Sequence, residues 1–179
     1  MNDPYTRPPV IGFAARSGTG KTTLLTQLLP LLKQRGVRTG VIKHSHHDFE
    51  IDVPGKDSYR LRKAGAAQML IASPWRQALI KEGSGSGEPR LEELLETLDR
   101  PALDLVLVEG FRHVHFPKIE LVRRAVAGPF LYSEDESIVA VATDHPLDTP
   151  LPQLDLNDPA AIVDFILDII ASQPEGTAS

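Results

Sequence analysis

The sequence predicts an α/β fold, with a mostly parallel sheet flanked by helices, from three observations. Short apolar runs alternate with helix-length segments along the chain, the pattern of βαβ units. Residues 103–108 are apolar apart from Asp104, as a strand covered on both faces requires. The first strand, helix and second strand have the lengths of a parallel unit with a right-handed crossover.

Taken in order, Val10–Ala14 is the first strand and TTLLTQLLPLLKQRG the first helix, stopped by Gly36. Pro30 removes one backbone hydrogen bond inside it, so a bend is expected rather than two helices. Val37–Ile42 is the second strand. Residues 43–56 are polar and rich in histidine, and Asp57 or Ser58 caps a short helix that Gly65 ends. Ala66–Ser73 and Arg76–Glu82 read as two strands around Pro74, and some strands of the fold are expected to be antiparallel. GSGSGEP then forms a mobile loop rather than a domain linker. Leu91, Leu94, Leu95 and Leu98 share one face of an amphipathic helix. Leu103–Val108 is the central strand, ending at Glu109-Gly110, and Lys118–Val122 and Ser137–Thr143 are further strands. Asp158 caps and Pro159 opens a last helix through Ile170, whose only wet stripe is marked by Asp164 and Asp168. The remainder of that helix is expected to be buried.

At 179 residues and 41% hydrophobic content the chain has the length of one domain and material for a sizeable core. Residues 1–8 and 172–179 are expected to fray. Lys plus Arg is 19 against 24 for Asp plus Glu, so nothing general attracts a nucleic acid, and any phosphate binding must be local. The absence of cysteine excludes disulfides, thiolate metal sites, Cys nucleophiles and iron-sulfur clusters, and agrees with the cytoplasm. No apolar run approaches the roughly 18 residues of a membrane span, and the polar start lacks a signal-peptide core.

Residues 15–22 read ARSGTGKT, the pattern of a phosphate-binding P-loop except that Ala15 stands at the first glycine. Gly18 and Gly20 let backbone N–H groups turn inward around phosphate oxygens, and the following helix adds its positive end. Lys21 reaches the β- and γ-phosphates, and Thr22 offers a hydroxyl to Mg²⁺. The placement between a strand and a helix favours this reading over an ordinary glycine-rich turn. It makes residues 1–179 a single P-loop nucleotide-binding domain with a P-loop NTPase-type fold.

Such a site needs an acid at the end of a neighbouring buried strand, and Glu109 after LDLVLV is placed for it. Asp104 lies at the far end of that strand, away from the ligand edge. His44, His46 and His47 beside Asp48, Glu50 and Asp52 have the chemistry of a metal site but match no zinc spacing. Lys43, Asp52 and Asp57 are candidates for phosphate, metal or attacking water, or else surface charges. Asp144 closes IVAVATD at the ligand edge, where a carboxylate can accept the N1 and N2 donors of guanine, which adenine lacks. The alternative is that Asp144 opens the turn at His145-Pro146.

Together these residues resemble the molybdopterin-guanine dinucleotide biosynthesis adaptor proteins, the MobB family. The resemblance rests on SGTGKTTLL, VIKHSHHDFEIDVPGKDSYRLRKAGA, LVLVEGF and AVATD. It implies a GTP-binding homodimer with weak GTPase activity, working beside the guanylyltransferase that attaches GMP to molybdopterin and distinct from that transferase. Carried over by position, Ser17, Gly18, Thr19, Gly20, Lys21, Thr22 and Thr23 hold the phosphates, Lys21 and Glu109 serve hydrolysis, Thr22 and Glu109 serve Mg²⁺, and Asp144 faces guanine. Asp52, a further candidate metal ligand, falls with Lys56 and Asp57 in the middle motif. Arg16 stands where related P-loops carry a lysine that reaches a neighbour's nucleotide, so it is a candidate for that contact or for solvent. A molybdopterin-type cofactor is a further candidate ligand.

The rival reading is an ATP-dependent small-molecule kinase, in which Arg60, Arg62 and Lys63 form a basic lid. A solvated helix face explains those three residues as well.

Overall fold

The computed structural model describes residues 5, 7–45, 47–83 and 87–172. In chain order the elements are β1 (Val10–Ala15), α1 (Lys21–Gln34), β2 (Thr39–Lys43), α2 (Asp57–Lys63), β3 (Gln68–Ser73), β4 (Arg76–Lys81), α3 (Leu91–Thr97), β5 (Leu105–Glu109), β6 (Lys118–Val122), β7 (Ile138–Thr143), β8 (Gln153–Asp155) and α4 (Pro159–Ser172). They fall into two compact units, Met1–His44 with Arg90–Ser179, and Ser45–Pro89.

The larger unit is a six-stranded sheet in the order β2-β5-β1-β6-β7-β8, parallel throughout. Alternation along the strands splits the core in two. Ile11, Phe13, Leu105, Leu107, Ile119 and Leu121 pack with Leu24, Leu28 and Leu32 of α1 and Ile162 and Ile166 of α4. Val10, Val106 and Val108 point the other way, onto Leu91 and Leu95 of α3 and onto Phe116. Each of these side chains is worth about 1.5–3 kcal/mol for leaving water.

Several boundaries differ from expectation for backbone reasons. The Gly36 N–H donates to Lys33 and the Val37 N–H to Leu32, both at 3.0 Å, with Gly36 at φ +78°. This left-handed helix stop consumes the Val37 N–H, so β2 starts at Thr39 rather than Val37. α1 runs through Pro30 as one helix. The expected side-chain cap of α2 is absent: Lys56 is its N-cap residue and Asp57 its first residue, while the Ser58 hydroxyl donates to Asp52 at 2.8 Å.

β3 and β4 form a separate antiparallel hairpin in the smaller unit. Residues 84–86 of the expected mobile loop lie outside the described residues, as do 1–4, 6 and 173–179 of the expected frayed ends.

In α4, Asp158 Oδ1 accepts from the Ala160 and Ala161 N–H groups at 3.1 Å each, the expected cap. Its burial is narrower than expected. Ile162, Val163 and Ile166 are buried, whereas Phe165, Leu167, Ile169 and Ile170 are only partly covered, because one helix against one sheet hides a single stripe. β8, which the proline-rich segment at 146–152 conceals in the sequence, adds a short edge strand.

Candidate functional site

β1 delivers residues 15–20 to the carboxyl edge of the sheet, where ligands of parallel sheets bind. Gly18 and Gly20 take φ +80° and +97°, conformations that a side chain would strain. Thr19 is buried, and its hydroxyl donates to the Arg16 carbonyl at 2.9 Å, which ties the loop to itself. Gly20 is the N-cap residue of α1, with no side-chain cap bond and no acidic residue in the first turn. The helix therefore presents its amide donors and its positive end without the carboxylate that closes α4. Lys21 follows, its ammonium donating to the Ala15 carbonyl at 3.2 Å. Ser17 and Gly18 are exposed, as is Thr23 one residue beyond Thr22.

Glu109 ends β5, next to β1 in the sheet. Its two carboxylate oxygens each stand 3.4 Å from the Thr22 hydroxyl, and Lys43 at the end of β2 lies 3.5 Å from Oε2. The structure thus brings Lys21, Thr22, Glu109 and Lys43 to one edge. Thr22 and Glu109 offer the hard oxygen donors that Mg²⁺ prefers. Asp104 is at the opposite end of β5, paired with Arg38 at 2.7 Å.

Beyond Glu109 the backbone turns through Gly110 at φ +108° and Phe111 at φ +52°. A Cβ on Gly110 would come within 2.6 Å of the His44 Cβ. The His44 ring stacks on Phe111 with centroids 4.6 Å apart, and the His44 backbone N–H donates to the Glu109 carbonyl at 2.8 Å. His44 therefore packs the turn that presents Glu109.

Asp144 follows β7 directly and is engaged by its surroundings. Its Oδ1 accepts from the Arg124 N–H at 2.9 Å and from His145 Nδ1 at 2.8 Å, while Arg123 Nη1 lies 3.8 Å from Oδ2. The Arg124 N–H first, then His145, hold its carboxyl below its ordinary range, with the Arg123 charge adding to them.

Arg123, which the sequence reading passed over, also donates from Nε to the Thr19 carbonyl at 2.9 Å. It links the P-loop to the Asp144 corner. The available signal was its position immediately after a strand on the ligand edge.

Arg16 does not reach out from the loop in this structure. Its Nε and Nη2 donate to the Pro129 carbonyl at 3.1 and 2.9 Å. The guanidinium occupies the space where a Cβ on Gly128 would stand, 2.5 Å from Arg16 Cζ. Glu120 is buried beneath the same segment and accepts from the Leu131 and Tyr132 N–H groups at 2.9 and 2.8 Å. Burial pushes its carboxyl up, against the pull of those two donors and of the Arg16 charge.

The remaining candidates belong to the smaller unit. Asp52 Oδ1 accepts from Ser58 and from the Val53 N–H, and Oδ2 is buried without a hydrogen-bond partner among the described residues. Arg62 is buried rather than solvated, bonded to Glu50 and, at 2.7 Å, to Glu82. Lys63 reaches Glu50 at 2.8 Å, and Asp57 lies 3.6 Å from Arg60. His46 lies outside the described residues. Among the described residues no three His, Asp or Glu side chains form a group that could hold a metal.

A parallel sheet whose first strand leads through this loop into a helix defines a P-loop NTPase-type protein. Residues 10–144 match the family described as molybdopterin guanine dinucleotide synthesis protein B, and the chain belongs to this MobB family. It is 48% identical over 166 residues, 92% of this chain and 95% of the other, to the molybdopterin-guanine dinucleotide biosynthesis adapter protein of Escherichia coli K12. The protein of the same name from Haemophilus influenzae is 44% identical over 88% of this chain and 87% of its own length. A crystal structure of molybdopterin-guanine biosynthesis protein B superposes with a TM-score of 0.73 at 28% identity, covering 91% of this chain and 99% of the other. Among the described residues no helix is long and apolar enough to cross a membrane.

Proposed function

We propose that this chain is a GTP-binding adaptor in molybdopterin-guanine dinucleotide biosynthesis, acting in the cytoplasm beside the guanylyltransferase as a homodimer with weak GTPase activity. The observation that carries the nucleotide site is the Thr22 hydroxyl 3.4 Å from both Glu109 oxygens, at the mouth of a helix with no cap of its own. The names of the relatives carry the pathway.

In this reading the amides of Ser17 to Thr23 and the Lys21 ammonium bind the phosphate chain. Thr22 and Glu109 would hold Mg²⁺, which would supply positive charge against the phosphate oxygens. Asp144 reads guanine through Oδ2. Hydrolysis is slow because Arg16 is bonded to the Pro129 carbonyl and Arg123 to the Thr19 carbonyl. Neither is then free as an arginine finger, a group worth on the order of 10³ to 10⁵ in rate.

The homodimer reading is supported by the hairpin of the smaller unit, which exposes Leu70, Ile71, Trp75 and Leu79, an apolar surface that association would cover. No observation favours the kinase, whose expected lid loses Arg62 to ion pairs with Glu50 and Glu82.

Calorimetric titration with GTP and ATP, with and without Mg²⁺, on the wild type and on Asp144→Ala tests the site, and sedimentation of the same samples tests the dimer. A Mg²⁺-dependent preference for GTP that the variant loses is the expected result. Equal or tighter binding of ATP overturns the guanine reading.

A further inference from the structure

A cavity of about 460 Å³ lies beside the P-loop within the larger unit, lined by Arg16, Arg112, His113, His115, Glu134 and Asp135, with Ala14, Val114 and Leu131 supplying apolar wall. Its volume suits a small organic ligand. We propose that it is a second binding site, for a phosphorylated pterin, separate from the nucleotide site and sharing with it the wall that Arg16 provides. The inference rests on the family reading above, because it gives the guanine nucleotide to the P-loop and the pterin partner to this cavity.

The charge pattern points to an anion with a polar ring. Two guanidinium groups and two imidazoles face two carboxylates, and one of these, Asp135, is already spent on Lys118 at 3.0 Å and on Ser137. With Asp135 set aside, the two guanidinium groups stand against the single carboxylate of Glu134, in a chain whose net charge is −5. Among the described residues Arg112 makes one hydrogen bond, from Nε to His113 Nε2 at 3.1 Å. The rest of the Arg112 fork remains for a phosphate, the ligand that guanidinium geometry matches best.

Glu134 is exposed and has no ion pair among the described residues. A carboxylate there can accept two hydrogen bonds from the N–H and NH₂ of a 2-amino-4-oxopyrimidine edge. Pterins carry that edge, and guanine carries it too, so a phosphorylated pterin and a guanosine monophosphate share the required chemistry. The pterin is favoured because the walls join two pieces of the nucleotide machinery. Arg16 belongs to the P-loop, and residues 112–115 follow directly on the Glu109-Gly110-Phe111 turn. A ligand here lies beside a bound nucleotide instead of replacing it.

The test is fluorescence anisotropy of neopterin monophosphate against the full chain, with and without saturating GTP and Mg²⁺, with GMP and inorganic phosphate as competitors. Binding that survives GTP, is displaced weakly by GMP and falls by about tenfold in Arg112→Ala, the loss of one charged phosphate contact, is the expected result. Glu134→Ala should lose affinity for neopterin monophosphate while competition by inorganic phosphate stays unchanged. Displacement by GTP, tighter binding of GMP, or full binding in Arg112→Glu overturns the proposal. Lys21→Ala separates the two readings, since it should abolish GTP binding and leave pterin binding intact. GTP binding without pterin binding sinks this proposal alone, and pterin binding without GTP binding sinks the nucleotide reading alone.

Discussion

The Thr22 hydroxyl stands 3.4 Å from both carboxylate oxygens of Glu109, although 87 residues of chain separate them. The contact exists because β5 pairs with β1 in parallel register, Phe13 opposite Glu109, so the strand that supplies the acid ends level with the loop that supplies the hydroxyl. Glu109→Gln keeps the shape and removes the charge. Its GTP affinity in Mg²⁺ should drop by about tenfold while affinity in EDTA stays near wild type. Titration calorimetry in both buffers checks this, and an equal drop in both would point to a role in folding instead.

Gly110→Ala should destabilise the protein by about 3 kcal/mol, combining left-handed backbone strain with overpacking. The added methyl must stand at φ +108° and meet the His44 Cβ at 2.6 Å. Urea denaturation should show a lower midpoint at an unchanged slope.

Lys118 is 1% exposed, with its ammonium on the Val114 carbonyl, Asp135 and Ser137. Lys118→Met fills the space but takes the cation from Asp135, which keeps only Ser137, and the ammonium donor from the Val114 carbonyl. A loss of about 3 kcal/mol is expected, the cost of breaking a buried pair on one side. Thermal melting measures it, and a variant as stable as the wild type would show that the pair contributes nothing.

Asp104 has its carboxyl pulled down from 3.8 to about 2, by the Arg38 side chain first and then by the Arg38 N–H. A depressed carboxyl stabilises the fold above its unfolded value and stops doing so as pH falls through the folded one. The contribution is therefore present above about pH 4 and gone by about pH 2. Because the pair is well exposed, it is worth less than about 1 kcal/mol. Melting temperatures of the wild type and Asp104→Asn should differ slightly at pH 7 and converge near pH 2.

What was legible in the sequence was local. Gly18, Gly20, Lys21 and Thr22 declare themselves within a few residues, because a phosphate cradle is built from consecutive backbone. Glu109 was legible because an apolar run fixes where a buried strand ends. β6 was legible as a strand but not in its chemistry. In KIELV the charges alternate with apolar residues, which reads as one wet face. That face is covered by the segment after the strand, so Lys118 and Glu120 are buried and satisfied by groups 11 to 19 residues away. Arg123 was missed for the same reason, since its partners Thr19 and Asp144 lie on two other strand ends. The narrower burial of α4 could not be read either, because composition does not say how many layers will cover a helix.

Position 128 has a consequence of its own. Glycine there leaves the room in which the Arg16 guanidinium rests against Pro129, so the smallest residue in the chain acts as a parking space for a charge of the loop. Any side chain at 128 would evict that arginine and hand the loop a loose cation. A change well outside the phosphate motif thus alters the charge at the loop without altering any residue of the motif.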